Sequence, residues 1–588
     1  MEEEAAVVAR LDGVGADDLW NKVRGLGHEG DCHVSTLYSF RQKICTWLIL
    51  TTILLYILYS SNLLLFNNND QQDCSPITTT TATTTRFDDT AAQQILQIST
   101  DNNTSMTTST EEEVASIDNE NKETTTQQKI SNDDKTEDEE DEEEAIISSE
   151  EEEVENNYPV VVRLTPEQTA QTTETELKHI VFGIAASSNL WEQRKEYIKV
   201  WWRPKETRGV VWLDQKVTTT KNEGLPEIRI SSDTSNFKYT NNQGQRSALR
   251  ISRVVTETLK LGMKDVRWFV MGDDDTVFIV DNVVRMLQKY DHRHFYYVGS
   301  TSESHIQNMH FSYAMAYGGG GFAISYPLAV ELAKIQDRCI QRYPALYGSD
   351  DRIHACMAEL GVPLTKEFGF HQYDVYGNLL GLLGAHPVAP LISIHHLDVV
   401  EPIFPRMSRA EAMRHLMESV REDSASIMQQ SICYDKTRYW SISVSWGYVV
   451  QIIRGMLPPR ELEMPSRTFL NWYKRADYTA YAFNTRPVFK HPCQKPFVYY
   501  MSRTYFDSSR KRVIGVYNLD TAAKPPYCRW RMPSPEIITS IVVTKSPDPL
   551  RWKKSPRRDC CKVLPSRKPS TLYIWVANCR EGEVIEMQ

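Results

Sequence analysis

An α/β domain with a largely parallel sheet is what this sequence predicts, set between an N-terminal membrane anchor and a small β-rich C-terminal region. Three observations carry the prediction. Short apolar runs alternate with helical periods from about residue 159; one uncharged apolar run of 23 residues stands well ahead of them; and from residue 487 the pattern turns to proline-rich, basic turns with short β-like runs.

Residues 179–186 (HIVFGIAA) read as a buried strand, and 191–202 as a helix that sets Trp191, Tyr197, Ile198, Trp201 and Trp202 partly on one face. Residues 210–213 and 227–230 read as short strands, and 246–261 as a helix ended by Gly262. A strand over 268–271 runs straight into Gly272-Asp273-Asp274-Asp275-Thr276. Asp281 is placed to cap a helix that continues to Tyr290. Strands follow at 295–299 and 322–325, then a helix over 327–335 with proline in its first turn, and another over 352–360. In such a sheet, ligands gather at the carboxyl ends of the strands. Trp201, Trp202 and Trp268 read as core.

The chain has 588 residues and a net charge of -11, from 66 basic and 77 acidic side chains. That sum hides its distribution. Residues 67–155 hold 26 acidic and 4 basic groups, and residues 156–588 hold 43 acidic and 57 basic, a net +14. A uniformly acidic soluble protein is excluded. The basic part alone suits nucleic acid or a small anionic substrate equally; the motifs below point to a diphosphate, with an anionic glycan as a further expectation, rather than to nucleic acid.

Residues 44–66 (ICTWLILTTILLYILYSSNLLLF) at about 1.5 Å per residue reach about 35 Å, enough to cross a bilayer core. With 43 residues ahead of it, the run reads as an anchor rather than a cleaved signal. Arg41 and Lys43 precede it and Asp70 and Asp73 follow, so the N-terminus is expected in the cytosol and the remainder in a lumen. The threonine runs and acidic blocks after it cannot bury enough apolar area to offset their ordering entropy. The expected organisation is a cytosolic tail (1–43), a transmembrane helix (44–66), a disordered Thr-rich and acidic stem (67–157), the α/β domain (158–486) and a cysteine-containing β-rich region (487–588). Two overlapping glycosylation sequons begin at Asn102 and Asn103 in the stem. Nine of the 11 cysteines lie beyond the anchor. Disulfides are expected there, with Cys560 and Cys561 each pairing elsewhere; the odd number leaves one free or joined to another chain, as in a disulfide-linked homodimer, a non-covalent homodimer being the other form. No C-x-x-C pair occurs, which argues against structural zinc.

Three adjacent carboxylates behind an apolar strand repel one another, and the usual remedy is a hard divalent cation such as Mn²⁺ or Mg²⁺. A cation with open positions could hold a departing diphosphate. The same residues also match a phosphatase pattern in which Asp273 is the nucleophile and Asp350 and Asp351 supply a second acidic pair. About ninety residues of sheet and helix precede them, whereas that pattern opens its fold.

The blocks WFVMGDDDT (268–276), YVGS (297–300), GGGGFAIS (318–325) and GSDDR (348–352) resemble those of fringe and related β1,3-glycosyltransferases. The longer runs GFHQYD (369–374), AHPVAPLISIHHLD (385–398) and SVSWGY (443–448) are similar to the plant fringe-related group of type II membrane proteins. The similarity covers about residues 178–490. It implies a GT-A, Rossmann-like catalytic domain in the Golgi lumen and an inverting transfer from a UDP sugar, a hexose or N-acetylhexosamine, to a glycan, glycoprotein or glycolipid acceptor, with a manganese-type ion. On this resemblance Asp275 would bind the metal, Asp273 and Asp274 would face the nucleotide, and His395 would be the second metal ligand, with adjacent His396 as the alternative. The base would be Asp351 or Asp350, slightly favouring Asp351, while the other caps the helix that follows. Ser187, Ser188 and Arg194 match the nucleotide loop, and Gly320 and Gly321 lie where backbone approaches the bound sugars. His371 and Asp374 could line the acceptor side. A membrane-tethered nucleotide- or glycan-binding protein without turnover is the alternative from another class.

Overall fold

The computed structural model describes residues 174–219, 223–473 and 476–587. The cytosolic tail, the apolar run 44–66, the stem with its sequons, and Cys74 lie outside the described residues. Among those described, no helix is long and apolar enough to cross a membrane.

The first sheet has seven strands: β1 (Ile180–Ala185), β2 (Arg208–Leu213), β3 (Glu227–Ile230), β4 (Trp268–Asp273), β6 (Tyr297–Gly299), β7 (Phe322–Ser325) and β8 (Leu364–Lys366), in the order β3-β2-β1-β4-β7-β6-β8. β1 is buried throughout, and its successive side chains join cores on opposite faces: Ile180, Phe182 and Ile184 on one, Val181 and Ala185 on the other. That is why it reads as an unbroken apolar run rather than an alternating one.

The sheet is largely parallel, as expected, with β7 as its one antiparallel strand. β7 runs antiparallel to both β4 and β6, while β3, β2, β1 and β4 are mutually parallel and β6 pairs with β8 in parallel. An antiparallel strand begins where its neighbour ends. The residues just before β7, Gly318 to Gly321, are thereby delivered to the carboxyl end of β4.

Two expectations need correction. The helix expected over 246–261 is divided into α2 (Ser247–Ser252) and α3 (Val254–Leu259), after α1 (Trp191–Trp201). At the junction the Ser252 hydroxyl bonds back to Leu249 O at 3.0 Å, in competition with the helical ladder. Arg253 there is drawn to Asp337 at 2.8 Å. The helix expected to start at Asp281 is α4 (Val280–Leu287), and Asp281 lies inside it, paired with Arg203 at 2.9 Å instead of capping.

The second sheet has eight strands in the order β11-β12-β13-β15-β16-β17-β19-β18. β11 (Gln430–Asp435), β12 (Trp440–Ser445) and β13 (Val449–Arg454) come from before residue 487; β15 (Phe497–Asp507), β16 (Arg512–Leu519), β17 (Ser540–Lys545), β18 (Cys560–Leu564) and β19 (Thr571–Ala577) come from after it. The two edge strands are joined by Cys433–Cys561, whose Cα atoms are 5.5 Å apart. The sheet therefore curls until its edges meet. One apolar core runs from Phe182 through Leu416 and Trp440 to Ile574. The expected break at 487 thus cuts through a sheet and a core. Hydrophobic runs show where strands are, not which strands they pair with, and β13 and β15 face each other across 42 intervening residues. Cys339–Cys356, Cys493–Cys528 and Cys560–Cys579 complete four disulfides, with Cys560 and Cys561 pairing separately, as expected.

Candidate functional site

β4 ends in the Asp triad, and the turn that follows is stitched internally. Asp273 N–H donates to Thr276 Oγ1 at 2.8 Å, and the Thr276 hydroxyl donates to Gly319 O at 2.7 Å. The next two residues form β5 (Val277–Phe278), which pairs antiparallel with β10 (Ser393–Ile394). That short ladder brings His395 beside the triad from 120 residues away. His395 Nε2 stands 3.1 Å from Asp275 Oδ1 and 3.7 Å from Asp273 Oδ2.

Asp273, Asp275 and His395 offer ligand atoms that all lie within 4.8 Å of one another. Asp275 Oδ2 is buried and accepts no hydrogen bond, and His395 Nδ1 is also unpartnered. Buried polar atoms are seldom left this way without a ligand. Two carboxylates and an imidazole fit a divalent ion of the manganese type. Burial works to raise the Asp275 carboxyl, but His395 and Arg194 hold it well below the usual range. Asp273, by contrast, is pushed up to about 8 by burial and by the adjacent Asp275. Burial lowers His395 to about 4 in spite of Asp275, so the ring is neutral at pH 7 and can donate a lone pair.

Arg194, on α1, is buried and paired with Asp274 at 2.9 Å, Asp275 at 3.4 Å and Asp398 at 3.1 Å. Ser187 N–H donates to the other oxygen of Asp274 at 3.2 Å. The structure thus places Asp274, Arg194 and Ser187 in one internal network that ties the loop after β1 and the helix α1 to the triad. One guanidinium is shared by three carboxylates, Asp274, Asp275 and Asp398. The remaining negative charge is what a bound cation would neutralise.

His396 is not brought to the triad. Its backbone is left-handed (φ 62°), and its Nδ1 lies 3.0 Å from Asp374 Oδ1. Although burial opposes its charge, Asp374 holds the imidazole above its ordinary value.

The four glycines make close approaches rather than cradle phosphate. A Cβ on Gly319 would sit 2.1 Å from the His395 ring, and one on Gly318 would sit 2.6 Å from Asp350 Oδ1. Gly320 N–H donates to Gln372 Oε1 at 2.8 Å and its carbonyl accepts from Ser393 Oγ. Gly321 has φ +91°, a conformation that favours glycine.

Asp350 and Asp351 open the helix α7 (Ser349–Glu359), after α5 (His305–His310) and α6 (Tyr326–Arg342). Asp351 accepts from Tyr347 N–H at 2.8 Å and Gly348 N–H at 3.1 Å, so it is the capping residue. Asp350 lines a small recess with Asp273 and Gly318. It also lines a cavity of about 240 Å³ whose walls include Phe311, Tyr347, Asp374, His396 and Trp472. His371 and Asp374 fall on opposite sides of this wall. Asp374 faces the cavity, while His371 lies 2.7 Å from Glu303 and 2.8 Å from His386.

Asp214, Asp398 and Arg250 are site residues that the sequence reading passed over. Asp214 follows the apolar end of β2 as Asp273 ends β4, which is the signal that could have found it; it accepts from Ser188 N–H at 2.7 Å. Asp398 also accepts from Tyr197 OH at 2.8 Å. Arg250 is buried at the same strand ends and donates to Trp212 O at 3.1 Å; nothing in its helix distinguished it.

Residues 175–378 match the family described as fringe-like, and residues 307–561 match a family described as a protein of unknown function, DUF604. No curated protein matches. Among solved structures, a glycosyltransferase involved in the glycosylation of the major capsid of PBCV-1 is similar over 40% of this chain and 97% of that one, with 13% identity and a TM-score of 0.22. That likeness is too slight to carry fold or function. The fringe-like match takes in Ser187, Arg194, the Asp triad, the glycines and the Asp350–Asp351 pair, so residues 175–378 are similar to the fringe-like family.

Proposed function

We propose that the chain is a metal-dependent, inverting transferase of GT-A type that moves a hexose or N-acetylhexosamine from a UDP sugar to a glycan, and that it does so in the Golgi lumen behind the anchor 44–66. The observation that carries this reading is the convergence of Asp273, Asp275 and His395 at the carboxyl end of β4, with Asp350 in the adjoining recess. An ion held there would neutralise the donor diphosphate as it leaves. Asp350 takes the proton of the acceptor hydroxyl. The acceptor oxygen bonds to the anomeric carbon on the face opposite the departing diphosphate, whose C–O bond breaks, and the configuration inverts. Asp351 is unsuited to that step, because its carboxylate is committed to two backbone N–H groups.

The cavity bears on the acceptor. Asp350, Asp351 and Asp374 line it, with no lysine or arginine among the described lining residues. An anionic glycan would be repelled there. The positive charge that suggested one sits largely in residues 487–588, which hold 19 basic and 8 acidic side chains. An uncharged saccharide fits the carboxylates and aromatic walls better. The reading is tested by screening radiolabelled nucleotide sugars for hydrolysis or transfer by the full chain, with Asp275→Ala as control. Turnover of a UDP sugar that needs Mn²⁺ and is lost in the variant is expected; no turnover of any sugar nucleotide would contradict it.

A further inference from the structure

A metal-ligating histidine is usually oriented by a hydrogen bond from its other ring nitrogen to a carboxylate or carbonyl. His395 lacks that device, since its Nδ1 is buried and has no partner. Packing takes its place. Gly319 lies so close to the ring that no Cβ could be accommodated, and His396 stacks on it with centroids 4.0 Å apart and planes at 31°. His396 in turn lies parallel to Trp472, at 5.1 Å and 2°, and Trp472 lies parallel to Tyr376, at 4.9 Å and 4°.

The register of a small ladder produces this stack. β9 (Val375–Gly377) pairs antiparallel with β14 (Phe469–Asn471), with Asn471 opposite Val375. Trp472 and Asp374, the residues just beyond that pair, therefore arrive together at His396. The left-handed backbone of His396 is unfavourable for a residue with a side chain and persists only where surroundings impose it. Here Asp374 fixes one nitrogen and the indole fixes the plane.

We propose that Trp472 is a positioning residue for the metal ligand His395, acting through His396. The region beyond the fringe-like match, which ends at residue 378, then supplies part of the metal centre's construction as well as a wall of the acceptor cavity. The inference rests on the metal reading given above.

Mn²⁺ binding to the full chain, followed by the electron paramagnetic resonance of free Mn²⁺, tests it. Trp472→Leu keeps much of the volume and loses the ring; Trp472→Phe keeps a ring. The leucine variant is expected to bind Mn²⁺ at least fivefold more weakly and to lose the imidazole nitrogen coupling in the pulsed spectrum. The phenylalanine variant is expected to stay within twofold of the parent with the coupling intact. If Trp472→Leu does not fold, Asp374→Asn, which loosens His396 from its other side, replaces it with the same two readouts. Parent-like affinity and coupling in the ring-less variant would overturn the proposal while leaving the metal site standing. A parent chain that binds no Mn²⁺ would instead remove the metal reading, and this inference with it.

Discussion

Asp351 accepts the backbone N–H of Gly348 at 3.1 Å, three residues earlier, and so closes the first turn of its helix. The bond divides two neighbouring carboxylates, one committed to the helix N-terminus and one lining the recess beside Asp273. Asp350→Asn is predicted to lower transfer by about 10²- to 10⁴-fold, the usual scale of general-base catalysis, with an unchanged melting temperature. Asp351→Asn is predicted to cost about 1 kcal/mol of stability through the weakened cap and to leave turnover within a few-fold. The reverse pattern in a rate and melting comparison would reassign the base.

Arg194 is buried and paired with Asp274, Asp275 and Asp398. Removing one partner of a buried ion pair leaves charge uncompensated. Arg194→Ala should therefore destabilise the chain by about 3–5 kcal/mol in denaturant unfolding. A loss below about 1 kcal/mol would mean that the carboxylates are neutralised some other way.

A second buried cluster gives a pH prediction away from the metal site. Asp559 is paired with Lys545 at 2.8 Å and with Arg551. Burial raises its carboxyl, but these two cations more than offset that and hold it below its ordinary value. A depressed folded-state pKa stabilises above the unfolded value near 4 and is lost as pH falls through the folded one. Stability should decline below about pH 4, and less steeply in Asp559→Asn, which is already weakened at pH 7. Equal acid slopes in parent and variant would exclude Asp559 as a source of the decline.

Cys433–Cys561 closes a loop of 128 residues and joins the edges of the eight-stranded sheet. A cross-link of that span stabilises by about 4–5 kcal/mol in the chain-entropy account. Replacing both cysteines by serine should lower the unfolding free energy by a comparable amount. An unchanged denaturant midpoint would show that the curled sheet is held by its core alone.

What was legible in the sequence follows from what is local. The apolar runs that became β1, β2, β4 and β7, the acidic turn at Asp273, and the separate pairing of Cys560 and Cys561 depend on neighbours or on bond geometry alone. What was not legible depends on register. The β5–β10 ladder selects His395 over His396, and the backbone of His396 turns its ring to Asp374; two adjacent histidines look equivalent as letters. The same holds for Asp350 and Asp351, separated only by which one lies three residues past Gly348. The β-rich region after residue 487 was recognised as strands, yet its partnership with β11 to β13 is a matter of pairing that no local pattern carries.

Titration of the full chain with UDP, with and without Mn²⁺, tests the central claim most directly. UDP binding that requires Mn²⁺ and disappears in Asp275→Ala is the predicted result. No UDP binding, or binding that persists in excess chelator, would contradict it.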